Sequence, residues 1–515
     1  MSSPSTDSYD AVVVGAGLGG VSAAAFLAKA GRHVLLAERG DGPGGYAHVF
    51  ARGDYLFDPA IHGCSRGKPD LGVARMLEFL GVGDRCTLLP AHGSYYSVCF
   101  PNFRLDAPFG IEEFITAHAE QFPDEADGIR DFTHLCVDVI RELEQARANF
   151  TFRDLDEMAK ASPLRLRYRR ATLAGVLDEH LTDARAKAVL GCTWPNLGLS
   201  PSRTAFIPWA GMMTASMETG HFYAQGSFQN LVNAFVVALE LCGGELVVGN
   251  EVSRIMVEHG RVAGVVLADG GQVRAPVVVS NADARLTFED LVGFEHLPSP
   301  FVRRLQRLEP SLSAFILYSA TSLDLAQLGV GHVVFGYRSW DHEEAFDRLL
   351  GGHMESLAIS IPTLVDAAVA PPGEHLATVC VIMPYELGGS WAAEKERYVD
   401  GLLEFLDELF PGFRDGLTFC EAATPDALER YTLNSRGAAY GWDTTPAQAG
   451  SRKPSNRTPV EGLYLSGHWT QPGAGSLSAV YSGMITAQLI EPSAGPAPIR
   501  SESLPAVTIR VEPRA

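Results

Sequence analysis

The sequence predicts an α/β fold: a parallel sheet whose strands are interrupted by an inserted α+β domain. Three observations predict it. The chain opens with a β-branched apolar run, a glycine-rich turn and an Ala-rich helix in direct succession. This α/β pattern gives way to helical periods near residue 101 and returns near residue 226. A second strand, glycine loop and helix then close the patterned part of the chain, over residues 462–490. Parallel strands need crossover connections, so an interrupted α/β pattern reads as one discontinuous sheet.

Composition narrows the function classes. The 515 residues carry 41 Lys and Arg against 61 Asp and Glu, a net charge of −20. Such a chain repels phosphate backbones, so no nucleic-acid partner is expected. Hydrophobic residues make up 46% and charged residues 20%, as in globular proteins. The eight cysteines form no CxxC pair and no zinc-ligand spacing, so no metal site is expected. Reduced thiols and a polar start without a signal-peptide core predict a cytoplasmic location. No apolar run reaches about 18 residues, so no membrane-spanning helix is predicted. The sequence leaves the oligomeric state open.

The elements follow in order. Residues 1–8 read as a disordered leader. Residues 11–14 are a buried strand, residues 21–30 a helix ending at Gly31, and residues 33–37 a second strand ending at Glu38. Helical periods cover residues 111–121, 128–148 and 172–190. Residues 228–241 are a helix and 245–248 a strand. Residues 251–258, 261–267 and 272–279 are sheet segments with turns at His259-Gly260 and Asp269-Gly270-Gly271. Further strands are predicted at 311–318, 357–361 and 377–383, and a helix at 395–409. Strand 462–466 and helix 478–490 come last. The first domain therefore comprises residues 9–100, 226–290 and 456–491. Residues 101–225, mainly helical, and 291–455 form the insertion. Residues 492–515 read as a disordered tail.

The motif Gly15-Ala16-Gly17-Leu18-Gly19-Gly20 lies between a strand and a helix, with an acidic residue closing the next strand. This is the Rossmann dinucleotide context. Gly15 permits the tight turn, Gly17 the approach of a pyrophosphate, and Gly20 the close packing of helix on strand. The N-terminus of the helix that follows faces the anion, and Leu18 and Gly19 of the loop join the cofactor-binding set. Glu38 suits a ribose diol and disfavours a 2′-phosphate. Beyond Glu38-Arg39 the chain carries Gly44-Gly45-Tyr46, and a late strand ends in Gly467-His468. Both segments resemble those that meet the flavin diphosphate in FAD enzymes of the glutathione-reductase type. They predict FAD, with Val252, Gly475 and Ala479 completing the cofactor-binding set. No second GxGxxG is present, so no stable NAD(P)H site is expected. Electrons leaving the flavin would go to oxygen, a quinone or another carrier.

These residues resemble the phytoene desaturase, carotenoid isomerase and retinol saturase family. The resemblance rests on residues 12–20, on Pro43-Gly44-Gly45-Tyr46-Ala47-His48 and on Gly53-Asp54-Tyr55-Leu56-Phe57-Asp58. It also rests on Ser280-Asn281-Ala282-Asp283, Gly437-Ala438-Ala439-Tyr440-Gly441 and residues 467–475. It implies a Rossmann-type FAD domain with an inserted substrate domain. It also implies hydride transfer between flavin N5 and a hydrophobic polyene, in desaturation, isomerisation or saturation. The chain departs from the family at Tyr46, where Arg is common, at Pro59-Ala60-Ile61-His62, and at Ser476-Leu477-Ser478. These departures leave room for a second reading, a reductive cyclase acting on a polyketide-derived polyene in secondary metabolism. A flavin amine oxidase and a non-enzymatic prenyl-binding protein are further alternatives.

The acid–base candidates are His62, His221, Tyr223, Glu421 and His468. His62 follows the segment that resembles a flavin-facing loop. His221 and Tyr223 precede the return to the FAD domain, and His468 follows the last strand. Residues 206–213, rich in Met and aromatics, read as core or as a surface for a long flexible ligand. The basic block Arg165–Arg170 reads as a solvated helix face or as a weak contact with a membrane surface. Cys64 reads as packing.

Overall fold

The computed structural model describes residues 3–61, 63–65, 72–149 and 162–496. Five strands form a fully parallel sheet: β1 (Ala11–Val14), β2 (Val34–Ala37), β3 (Glu245–Val247), β4 (Val278–Ser280) and β5 (Leu463–Leu465). Their order is β3-β2-β1-β4-β5. Every residue of β1 and β2 is buried. Alternation divides them between two cores. Ala11, Val13, Val34 and Leu36 face one side, and Val12, Val14, Leu35 and Ala37 the other.

Three helices cover the first side: α1 (Leu18–Lys29), α2 (Phe228–Leu241) and α3 (Ser476–Ile490). Leu18 to Ala28 of α1 are all buried, which its run of Ala and Gly allows. Those small residues also let α3 approach closely. A Cβ on Gly483 of α3 would overlap the Gly19 carbonyl oxygen and lie 2.7 Å from Ala23 N. The second side is closed by an antiparallel sheet of Val252–Glu258, Arg261–Leu267 and Gln272–Arg274.

A seven-stranded sheet stands apart from the first. Its order is Leu417–Ala423, Ser313–Thr321, His375–Met383, Ser356–Ser360, Val333–Tyr337, Ser94–Phe100 and Phe103–Pro108. All its pairings are antiparallel except Val333–Tyr337 with Ser94–Phe100. Helices Ile111–Gln121, Ala126–Asn149 and Phe206–Thr219 pack together beside it.

The structure departs from expectation at five places. The helical span 172–190 is two helices, Leu173–His180 and Ala184–Gly191. The Asp183 carboxylate accepts from the Arg185 and Ala186 amides and starts the second. The span 272–279 is two strands in different sheets. Pro276 separates them, and a proline has no N–H for a ladder. Ser94–Phe100, expected in the first domain, belongs to the seven-stranded sheet. Leu297, Leu305, Ala438 and Trp442, expected in the insertion, pack in the core with β1 residues Val12 and Val14.

The expected leader is anchored rather than disordered. Ser5 donates to Glu245 on β3 from both its amide and its hydroxyl, and Arg274 N donates to Asp7 O. Residues 1–2 lie outside the described residues, as do 497–515 of the expected tail, while Ala494 is buried. Among the described residues, no helix is long and apolar enough to cross a membrane.

Candidate active site

The carboxyl ends of β1, β2, β4 and β5 open into one cavity of about 2010 Å³. Gly15, at φ +90°, turns the chain out of β1, and its amide donates to Ala37 O. The first turn of α1 has neither a side-chain cap nor an acidic residue, which leaves it free to meet an anion. Gly44, at φ +141°, bridges to Gly17 and donates to Ala16 O.

Three glycine loops meet at this point. A Cβ on Gly17 would lie 2.8 Å from Asn281 Nδ2. One on Gly19 would lie 2.5 Å from Asn281 Oδ1 and 2.6 Å from Gly467 Cα. One on Gly20 would overlap the Gly15 carbonyl. Bare backbone is therefore required on spatial grounds, and the cradle fits a diphosphate.

Glu38 stands at the end of β2. Its Oε2 accepts from Ala16 N at 2.7 Å and its Oε1 from Gly40 N at 2.8 Å. These bonds fix the carboxylate at the cavity wall with acceptor capacity left for a diol. Arg39 also lines the cavity, but its guanidinium is tied to the carbonyls of Arg430 and Tyr431, each at 2.7 Å. Val252, Tyr46, Gly45, Gly467, His468, Gly475 and Ala479 line the same cavity.

Much of the remaining wall is apolar and includes Ile61, Tyr95, Ile316, Phe335 and Ile359. Helix Phe206–Thr219 serves two surfaces. Trp209, Ala210 and Met213 are buried in core, while Ile207, Gly211 and Met212 line the cavity. An ordinary ligand pocket holds about 300–1,000 Å³. A space of about 2010 Å³ accommodates a dinucleotide and a second large ligand. Arg165, Arg169 and Arg170 of the basic block line the cavity as well, while Arg167 pairs with Glu179.

The acid–base candidates separate. His62 lies outside the described residues, although its neighbours Ile61 and Gly63 line the cavity. His221 lines it too, and its Nδ1 is 2.6 Å from Nε2 of the buried His332. His468 is a half-buried wall residue whose ring lies 6.0 Å from that of Tyr46. Burial, with Lys453 nearby, pushes its pKa down to about 4. Its Nε2 has no partner among the described residues. A neutral imidazole of this kind can hydrogen-bond a ligand, but it does not store a proton near neutral pH.

Two expectations are corrected. Tyr223 is not in the cavity wall. Its buried hydroxyl donates to Asp58 Oδ2 at 2.5 Å, and Asp58 also accepts from Phe228 N at the start of α2. It braces the fold. Glu421 sits on an edge strand, half exposed, where it accepts a bidentate pair of bonds from Arg52. That guanidinium holds its carboxyl below the usual range.

Four residues were not among the expected ones: Asn281 and Lys453, which line the cavity, and His332 and Asp443, which act on the wall residues His221 and Lys453. Asn281 follows β4 in the Ser-Asn-Ala-Asp segment, so its place after a buried strand could have marked it. The other three carry no local signal.

Comparison with known proteins places the chain. The family described as flavin containing amine oxidoreductase matches residues 18–491. The phytoene desaturase (lycopene-forming) of Paracoccus sp. (strain N81106 / MBIC 01143) is 29% identical over 510 residues, covering 95% of this chain and 99% of the relative. The all-trans-retinol 13,14-reductase of Danio rerio is 25% identical, covering 90% and 82%. Among solved structures, an oxidoreductase from Methanosarcina mazei superposes with a TM-score of 0.64 at 18% identity, covering 93% and 99%.

Proposed function

The chain belongs to the flavin containing amine oxidoreductases and is an FAD-dependent oxidoreductase, and on that premise we propose that its substrate is a hydrophobic polyene. One observation carries the reading. The cavity continues from the glycine cradle into a largely apolar space big enough for a long second ligand. The relatives support it, since one is named a desaturase of phytoene and another a reductase of retinol.

The chain's own residues divide the work. Gly15 to Gly20, Gly44 and Gly45 cradle the diphosphate, and Glu38 takes the ribose. The N-terminus of α3 and the Gly467-His468 loop line the path toward the redox-active ring. Bound FAD supplies a two-electron carrier that accepts or returns a hydride. Ile207, Met212, Ile316, Phe335 and Ile359 hold the polyene and exclude water. In a desaturation, the proton lost beside the transferred hydride needs a base. His221, backed by His332, is the histidine pair at the wall and takes that role.

The two relatives' names imply opposite redox directions, so product mass decides between them. Anaerobic incubation of the holoenzyme with linear carotenoid precursors and retinoids, with and without NAD(P)H, is expected to change the flavin spectrum. The product should differ by −2, 0 or +2 hydrogens. A polyketide-derived polyene in the same panel tests the cyclase alternative. Flavin reduced by primary amines and by none of the polyenes would overturn the proposal.

A further inference from the structure

Lys453 is 3% exposed and lines the cavity. Its ammonium makes one long bond, to Trp442 O at 3.4 Å. Among the described residues, no carboxylate lies within 4.0 Å of it. Asp443 is an opposing charge that acts on it, and its Oδ1 has no hydrogen-bond partner among the described residues. Burial pushes the ammonium down to about 8 and the carboxyl up to about 7, each opposed by the other's charge. An ammonium buried without a close partner carries an uncompensated desolvation penalty. A cavity-facing cation of this kind calls for an anion in the cavity.

Its position says which anion. A Cβ on Gly473 would lie 3.2 Å from the ammonium, so Lys453 sits beside the loop that opens α3. Gln471, Pro472, Ala474 and Gly475 of that loop line the cavity with it. The first turn of α3 has no side-chain cap and no acidic residue, so its positive end is open. The diphosphate already has its cradle in the glycines at α1 and Gly44. A hydride taken from a substrate C–H bond brings two electrons and one proton. The flavin that accepts it therefore gains one negative charge, and the second substrate proton leaves to a base or to water.

We propose that Lys453 is a counter-charge for the reduced flavin and raises its reduction potential. Asp443, whose charge acts on the ammonium, weakens that effect. The inference rests on the flavin alone and not on the identity of the substrate. The readout is the two-electron midpoint potential of the purified holoenzyme, from anaerobic dye-coupled titration, with FAD content measured alongside. Lys453→Met is expected to shift the potential negative, and Lys453→Arg to hold it near the wild-type value. Asp443→Asn is expected to shift it positive. An unchanged potential in Lys453→Met with FAD fully bound would overturn the proposal. Should Lys453→Met not retain flavin, Asp443→Asn decides: an unchanged or negative shift there is equally fatal.

Discussion

At the scale of single residues, the site is set by what is missing from Gly17 and by what His221 touches. Gly17→Val would place a side chain where Asn281 Nδ2 already lies 2.8 Å from a mere Cβ. It would also fill the approach to the diphosphate. The variant is expected to purify without its visible flavin absorbance. Full FAD content would contradict the cradle. The histidine pair makes a different kind of prediction. Two imidazoles 2.6 Å apart share one hydrogen bond, so a change at His332 should reach the ring that faces the cavity. His221→Ala is expected to cut turnover by about 10²–10⁴-fold with FAD retained, the range for loss of a general base. His332→Asn keeps a polar partner but moves the pH profile. A profile that does not move would make His332 packing only.

At the scale of elements, the helix pair α1 and α3 depends on Gly483. Gly→Ala inside a helix ordinarily stabilises, by roughly 0.5–1 kcal/mol. Here the added carbon would collide with backbone, at Gly19 O and at Ala23 N, 2.7 Å away. Backbone cannot swing aside as a side chain can. Gly483→Ala is therefore expected to destabilise by about 1–3 kcal/mol, the usual cost of overpacking. Because the displaced residue is Gly19, flavin affinity should fall with the melting temperature. A raised melting temperature would refute the close approach.

The same elements explain what could be read in advance. β1, β2 and α1 follow from local pattern, since buried parallel strands are continuous apolar runs. The glycine loops are equally legible, because bare backbone is a demand made at one position. The break before Ala184 was hidden by an unbroken helical period, and only the capping geometry of Asp183 resolves it. Pro276 was the visible sign that residues 272–279 are not one strand. Lys453, Asp443 and His332 could not be found from sequence. His332 meets His221 across 111 residues, and nothing near either residue encodes the meeting.

At the scale of the whole molecule, buried titratable groups pull in opposite directions with pH. His118 and His342 are buried, and burial pushes each from 6.5 down to about 4. The unfolded chain binds these protons more readily than the folded one. Their stabilising contribution is therefore complete above about pH 6.5 and lost as pH falls toward about 4. Asp58 works the other way. Burial lifts its carboxyl from 3.8 to about 7, so the folded chain holds that proton more tightly. Its contribution is greatest below about pH 4 and is lost as pH rises to about 7. Between these limits Asp58 offsets part of the histidines' acid sensitivity, by an amount on the order of a few kcal/mol. Asp443, also lifted to about 7, acts in the same sense. Asp58→Asn keeps an acceptor for the Tyr223 hydroxyl but removes the titration. The variant is expected to lose more stability than the wild type between pH 7 and pH 4.5, measured by thermal melts across that range. An equal or smaller acid loss would mean that folded Asp58 stays ionised down to pH 4.5, its proton held no more tightly than in the unfolded chain.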